Sequence, residues 1–293
     1  MVDVIAHVER PVIPAGDTPA RVQMRPGGSA ANVAAWLGFL GIPTTFVGCI
    51  GDDTFGREAR VALEAHGVVT HLAVAPTLAT GTCVVIVGAD GERTMLPDHG
   101  ANAAFGIQDL PRSAFPQGGH LHLTGYSFFA PTVRPVALAA LQRARTRGMT
   151  LSVDASSAVP LAEFGGAAFL ALIGSIDTLF ATVDEADALC GSRIPSEIAR
   201  LLEPVANSVA LKFGSKGAFL LCNGKVDAKG SAQRSPAAVL DTTGAGDGFA
   251  AGWIAARLTG ATARASLDRA CQAGSDAVTL LGARPSSDPR SPR

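Results

Sequence analysis

The sequence predicts an α/β fold: a mostly parallel sheet covered by helices on both faces, with a small antiparallel flap. Three observations lead there. Strand-like and helix-like runs alternate along most of the 293 residues, the pattern of a parallel sheet joined by crossover helices. Two groups of strand-like runs, drawn from about 4–26 and 82–97, lack crossover helices and are assigned to the flap. The composition, 47% hydrophobic and 17% charged, suits one large packed core without staples, so residues 1–293 are read as one domain.

The elements follow in order. "VDVIAHV" reads as a strand and "ARVQM" as a second, shorter one. "GSAANVAAWLGFLG" has apolar residues at helical spacing and ends on a glycine, with Trp36 at a core position. "TTFVGCIG" is a strand, and "DTFGREARVALEAHG" a helix capped by Asp53. "TCVVIVGADGERTML" is a hairpin turning at Asp90 and Gly91. "HLHLTG" is a strand; "PTVRPVALAALQRARTRG" is a helix with Pro131 near its start and Gly148 at its end. "TLSVD" and "DTLFAT" are strands separated by a helical segment, and "SVALKFG" and "GAFLLCN" are two more. Two helices, roughly 245–258 and 262–281, precede a polar tail, "ARPSSDPRSPR", expected to fray.

Charge and cysteines narrow the function. A net charge of -1 offers no basic surface for nucleic acid or anionic lipid. Cys49, Cys83, Cys190, Cys222 and Cys271 are scattered, odd in number and never in CxxC spacing, which reads as reduced thiols in a cytoplasmic protein. The charged N-terminus is no signal peptide, and "GGAAFLALIGSI" is too short to span a bilayer. His120 and His122 share one face of a strand, but no third ligand is placed for a metal.

The chemistry concentrates in "DTTGAGDGFAAG", Asp241 to Gly252. The strand-like "AAVL" precedes it and the helical "GFAAGWIAARL" follows, so the glycines sit on a strand-to-helix turn. A helix N-terminus carries unpaired amides and partial positive charge, and glycines let those amides approach an anion. Gly244, Ala245 and Gly246 therefore read as an anion hole, and Asp247 inside it as a base beside a reacting hydroxyl. A GxGxxG dinucleotide motif fails at Phe249, and no GxxxxGK[ST] occurs.

This stretch resembles the C-terminal signature of the ribokinase-like sugar kinases, the PfkB family. The other family signature is matched by "RPGGSAANVAAWLGFLGIPTTFVGCIGDDTFG", and "GERTMLPDHGAN", "HLHLTG", "DEADALCG", "KFGSKGAFLL" and "AVTLLGARP" follow in family order. The resemblance implies a ribokinase-like three-layer α/β/α core with a β lid. It implies an enzyme that phosphorylates a hydroxyl of a small sugar with ATP and Mg2+, ribose or a related pentose or ketose leading. Asp247 then matches the base, with Gly244, Ala245 and Gly246 as the anion hole. Gly27, Gly28, Asn32 and Asp3 match the sugar pocket, with Asn102 and Tyr126 lining the cleft. Lys212, Gly214 and Gly217 match the ATP side, with Thr182 and Glu185 toward Mg2+. Asp241 and Thr243 match a monovalent-cation site, such as one for K+; turn chemistry is the competing reading.

Departures are present. The family's Asn-x-x-Glu is "TVDE" here, Ser29 and Ala30 replace a lysine common after the glycine pair in ribokinases, and "SVDASS" lacks the asparagine common after Asp154. The alternatives are a nucleoside kinase of the same family, which the presence of only one Tyr and two Trp disfavours, and a non-catalytic sugar- or nucleotide-binding regulator, which Asp247 disfavours. The unstable edges of an isolated flap imply a homodimer formed through it. In the family, the strand bearing the sugar-binding aspartate begins several residues earlier. Its first half being missing here, the expectation is a late start to the sequence, a shortened or disordered first strand and a gap in the central sheet.

Overall fold

The computed structural model describes residues 1–89, 93–232 and 239–286. A six-stranded sheet forms the centre, in the order β12-β11-β10-β9-β8-β7. Its strands are β7 (His120–Thr124), β8 (Thr150–Asp154), β9 (Ile176–Thr182), β10 (Ala206–Lys212), β11 (Ala218–Cys222) and β12 (Lys225–Gly230). From β7 to β10 the pairing is parallel, and β11 and β12 are antiparallel.

Alternating side chains send this sheet into two cores. Leu179, Ala181, Val209 and Leu211 face one, packed by α4 (Arg134–Thr146), α5 (Ala158–Phe164), α6 (Gly166–Ile173), α7 (Val183–Cys190) and α8 (Pro195–Leu202). Phe180, Ala210 and Leu220 face the other, packed by α1 (Ser29–Phe39), α9 (Ala245–Leu258) and α10 (Ala263–Ala277). These are the three expected layers.

The flap is a four-stranded sheet in the order β2-β1-β5-β6, from β1 (Val2–Val8), β2 (Ala20–Pro26), β5 (Thr82–Val87) and β6 (Arg93–Asp98). Here β1 pairs antiparallel with β2 but parallel with β5, so the flap is mixed rather than purely antiparallel. The first strand is not short: all seven of its residues pair with β2. The expected Asp90–Gly91 turn lies outside the described residues.

The remaining strands stand apart from the central sheet. β3 (Thr45–Gly51) and β4 (Val69–Ala75) form a separate parallel pair around α2 (Thr54–Glu64). The parallel strands are thus split in two, although Val47 of β3 packs into the same core as Leu121 and Leu123 of β7.

Local signals were mostly read correctly. Asp53 caps α2 through Gly56 N at 2.7 Å. Helix α4 starts at Arg134 with Pro135 at its second position, so Pro131 lies before it. The single helical segment after β8 is two helices broken at Gly165, whose φ of 94° ends α5. Strands β4 and β12 were missed. Val239 and Leu240, the described part of "AAVL", are exposed and not in a strand. His120 and His122 bond the hydroxyls of Thr150 and Ser152; burial lowers their pKa values to about 3 and about 4. Among the described residues, no helix is long and apolar enough to cross a membrane.

Candidate active site

Four stretches far apart in sequence converge beside the flap. Gly244 adopts the left-handed conformation, with φ 76°, and starts α9. Asp247 falls in the first turn of that helix, where the helix dipole and unpaired amides favour negative charge. Its two carboxylate oxygens accept from α1: Ser29 Oγ donates at 2.6 Å to Oδ1, and Asn32 Nδ2 at 2.9 Å to Oδ2. Burial pushes the Asp247 pKa up from 3.8 to about 6, against the pull of these two hydrogen bonds. A carboxylate poised there is ionised at neutral pH and still basic enough to receive a proton in a transition state.

Beside it lies a buried ion pair. Lys212 at the end of β10 holds Asp154 at the end of β8, Nζ to Oδ2 2.9 Å. The same Nζ lies 3.5 Å from where a Cβ on Gly246 would stand, so an ammonium faces the start of α9. Burial opposes charge on Lys212, but Asp154, then Glu185 and Asp247, overcome it and raise its pKa. The amides of α9 and this lysine together suit the negative charge of a phosphoryl group.

The flap brings Asp3. Its carboxylate packs against Gly27, where a Cβ would lie 2.1–2.4 Å from its carboxylate atoms and would push the Asp3 side chain aside. Burial raises the Asp3 pKa, with the Met1 amino group and then Arg284 opposing. Arg284 completes the cluster: Nε donates to Asn32 Oδ1 at 3.0 Å and Nη2 to the Gly27 carbonyl at 2.8 Å. The Trp36 indole holds this segment through Ala283 O at 3.0 Å. Ala283 is 3% exposed, so the expected frayed tail is ordered at its start.

Asp3, Gly27, Gly28, Asn32, Lys212, Gly244, Gly246 and Asp247 are thus brought together. Other expected residues have local partners. Asn102 donates to His99 O at 3.0 Å and packs on Gly81, where the flap strands leave the core. Thr182 and Glu185 form a capping box on α7, although Glu185 is buried within electrostatic reach of Lys212 and Asp154. Gly217 lies against the Gly230 carbonyl, where a Cβ would be 2.1 Å away, and Gly214 sits in the β10–β11 turn. Burial, then the charges of Asp154, Asp247 and Glu185, raises the Tyr126 hydroxyl to about 12.

Asp241 accepts from Thr243 N and Oγ1, Gly282 N and Arg93 Nη2, all at 2.7–3.2 Å. These bonds are turn and ion-pair chemistry. Sequence reasoning did not assign roles to Ser29, Asp154 or Arg284. Each sits inside a motif that was read, but its partner lies more than fifty residues away.

A buried carboxylate in the first turn of a helix, a lysine over that helix start and a flap carrying an acid form an arrangement suited to phosphoryl transfer. The chain matches the pfkB family carbohydrate kinases over residues 1–290, and it belongs to that family. It is 32% identical over 300 residues to the ATP-dependent ribose-1-phosphate kinase of Halopiger xanaduensis, covering 96% of this chain and 90% of the relative. It is 29% identical over 255 residues to a fructokinase of Salmonella typhimurium, covering 82% and 79%. The crystal structure of adenosine kinase from Sinorhizobium meliloti shares its fold, with a TM-score of 0.84 over 97% of this chain and 93% of that one, at 24% identity.

Proposed function

We propose that this chain transfers the terminal phosphoryl group of ATP, in the presence of Mg2+, to a hydroxyl of a small sugar, a pentose or ketose in the first place. The observation that carries the reading is Asp247 in the first turn of α9, held by Ser29 and Asn32. Asp247 takes the hydroxyl proton. The amides of Gly244, Ala245 and Gly246, with Lys212, hold the charge of the moving group. Asp3, Gly27, Gly28 and Asn32 orient the acceptor. ATP supplies the phosphoryl group, with Glu185 the candidate acid toward Mg2+. A monovalent cation at Asp241 and Thr243 would have to displace Arg93. Closure of the flap keeps water from the base.

The test is acceptor-dependent ADP release over a panel of pentoses, hexoses, ketoses and nucleosides, free and phosphorylated, with products weighed by mass spectrometry. Release with at least one sugar supports the reading. Release with none overturns it, and release with nucleosides alone moves the chain to the nucleoside kinases. The five cysteines are free, in keeping with a cytoplasmic enzyme.

The reading includes a homodimer formed through the flap. Met24, Val4, Val84 and Leu96 stand opposite one another across all four strands, and Met24, Val84 and Leu96 are exposed. The other face carries Arg25, Asp3 and Cys83 at neighbouring register positions, beside the site. A second copy would cover the apolar row. Sedimentation at micromolar concentration is expected to show a dimer, and Val84→Lys a monomer. A monomeric wild-type protein would rule this assembly out.

A further inference from the structure

We infer that Arg284 is a positioning residue of this site: it fixes which way round the Asn32 amide stands, and through that amide keeps Asp247 an ionised base. The inference rests on the kinase reading above for the role of Asp247 and deepens it.

An asparagine amide has a donor end and an acceptor end of nearly the same shape. Asn32 is 4% exposed, so bulk water does not choose between them. Its Nδ2 donates at 2.9 Å to Asp247 Oδ2. With the amide turned over, Oδ1 would face that carboxylate, oxygen against oxygen, and only a protonated Asp247 could bond it. Arg284 removes this alternative. Its Nε donates at 3.0 Å to Oδ1, at the other end of the amide. A guanidinium has five donors and no acceptor, so it cannot receive Nδ2. Burial brings the Arg284 pKa down to about 10, with Asp3 and then Asp247 opposing, so the side chain stays charged through neutral pH. The orientation of Asn32 is therefore held wherever the base works.

Anchoring the chain does not explain this arginine. Its segment is already tied by its neighbours: Gly282 N donates to Asp241 Oδ2 at 3.0 Å, and Trp36 Nε1 to Ala283 O at 3.0 Å. Nη2 of Arg284 donates to the Gly27 carbonyl at 2.8 Å, which holds the guanidinium at the entry to α1. Nη1 is buried with no acceptor among the described residues. A buried donor left unpaired costs stability, and a neutral side chain would avoid it.

Asp247 answers to hydrogen bonds before charges. Burial raises its pKa most, and the bonds from Ser29 and then Asn32 pull harder on it than any neighbouring charge. The charged and titratable groups around it are Asp154 on β8, Lys212 on β10, Tyr126 after β7 and Arg284 itself. Asp154 and Lys212 are paired and act in opposite directions, which leaves the two hydrogen bonds in control.

The experiment follows the Asp247 carboxyl by NMR in aspartate-labelled protein, the signal being assigned by its loss in Asp247→Asn. This readout needs no turnover. The wild-type midpoint is expected at about 6. In Arg284→Met it is expected to rise by about one pH unit, through loss of one hydrogen bond to the charged form. Asn32→Ala is expected to rise as far, and the double variant no further than the larger single, because Arg284 acts through Asn32. Arg284→Gln, whose amide can turn either end to Asn32, is expected to show a smaller rise and stands in if Arg284→Met does not fold. A direct charge effect would make the two single rises add. A merely structural anchor would lower Tm and leave the midpoint unmoved. Either result overturns the inference. The acid limb of kcat/KM is expected to move with the carboxyl, with KM for ATP unchanged. An unmoved midpoint in an active kinase overturns the inference alone, and the expected midpoints in a protein that releases ADP with no acceptor overturn the kinase reading alone.

Discussion

Replacing Asp247 with asparagine is expected to lower turnover by roughly 10²–10⁴-fold while leaving ATP affinity near normal. The side chain keeps its shape but can no longer take the hydroxyl proton. The wild-type kcat/KM should fall about tenfold per pH unit below about 6, the value to which burial raises this carboxyl. The sign for stability is opposite to that for activity. The folded pKa lies above the ordinary 3.8, so stability is full below that value and is lost as pH rises through about 6. At neutral pH the buried charge costs about 3 kcal/mol on this shift. Asparagine removes that cost but offers one acceptor oxygen where Ser29 and Asn32 need two. A net gain of about 1–2 kcal/mol is expected at neutral pH, vanishing toward about pH 4. Melting curves at the two pH values and a pH–rate profile check this. Near wild-type turnover in the variant would remove Asp247 from the catalytic role, and a Tm unchanged at neutral pH would remove the buried-charge account.

Much of this arrangement was legible because its signals are local. A glycine pair before "SAANVAAW" and three small residues before Asp247 announce helix starts that approach a ligand, and both were read as such. The flap was legible from strands lacking crossover helices. What was not legible depends on long-range contact. Arg284 lies in a stretch that reads as a polar tail, and it acquires a role only because Trp36 holds Ala283 and Asn32 receives its Nε. Asp154 resembles any acid ending a strand until β10 lays Lys212 beside it. β4 has weak alternation, and only its pairing with β3 makes it a strand. Thr182 and Glu185 show the converse: a local capping box satisfies much of the pattern that a ligand would otherwise explain.

Gly244→Ala is expected to disable the enzyme from a position that contributes no side chain. A left-handed φ of 76° costs a non-glycine residue about 1–2 kcal/mol. The larger effect is a collision. A Cβ would stand 2.6 Å from Ala283 Cα and 2.7 Å from its carbonyl oxygen, and backbone cannot rotate away as a side chain can. Either the start of α9 moves, taking its first amides and Asp247 with it, or the 281–284 segment moves. The second course breaks the Trp36–Ala283 bond and pulls Arg284 from Asn32 and Gly27. A displacement of about 1 Å suffices for a hundredfold loss of turnover, and a loss of about 2–4 kcal/mol in stability is expected with it. Gly260→Ala is the control. Its φ is also positive, at 84°, but a Cβ there meets nothing within 4 Å, so it carries backbone strain alone. That variant should lose about 1–2 kcal/mol and keep its turnover. Measured side by side by denaturant melts and initial rates, the two separate strain from collision. Equal behaviour of the pair would mean that the contact between the start of α9 and the Arg284 segment does not hold this site together.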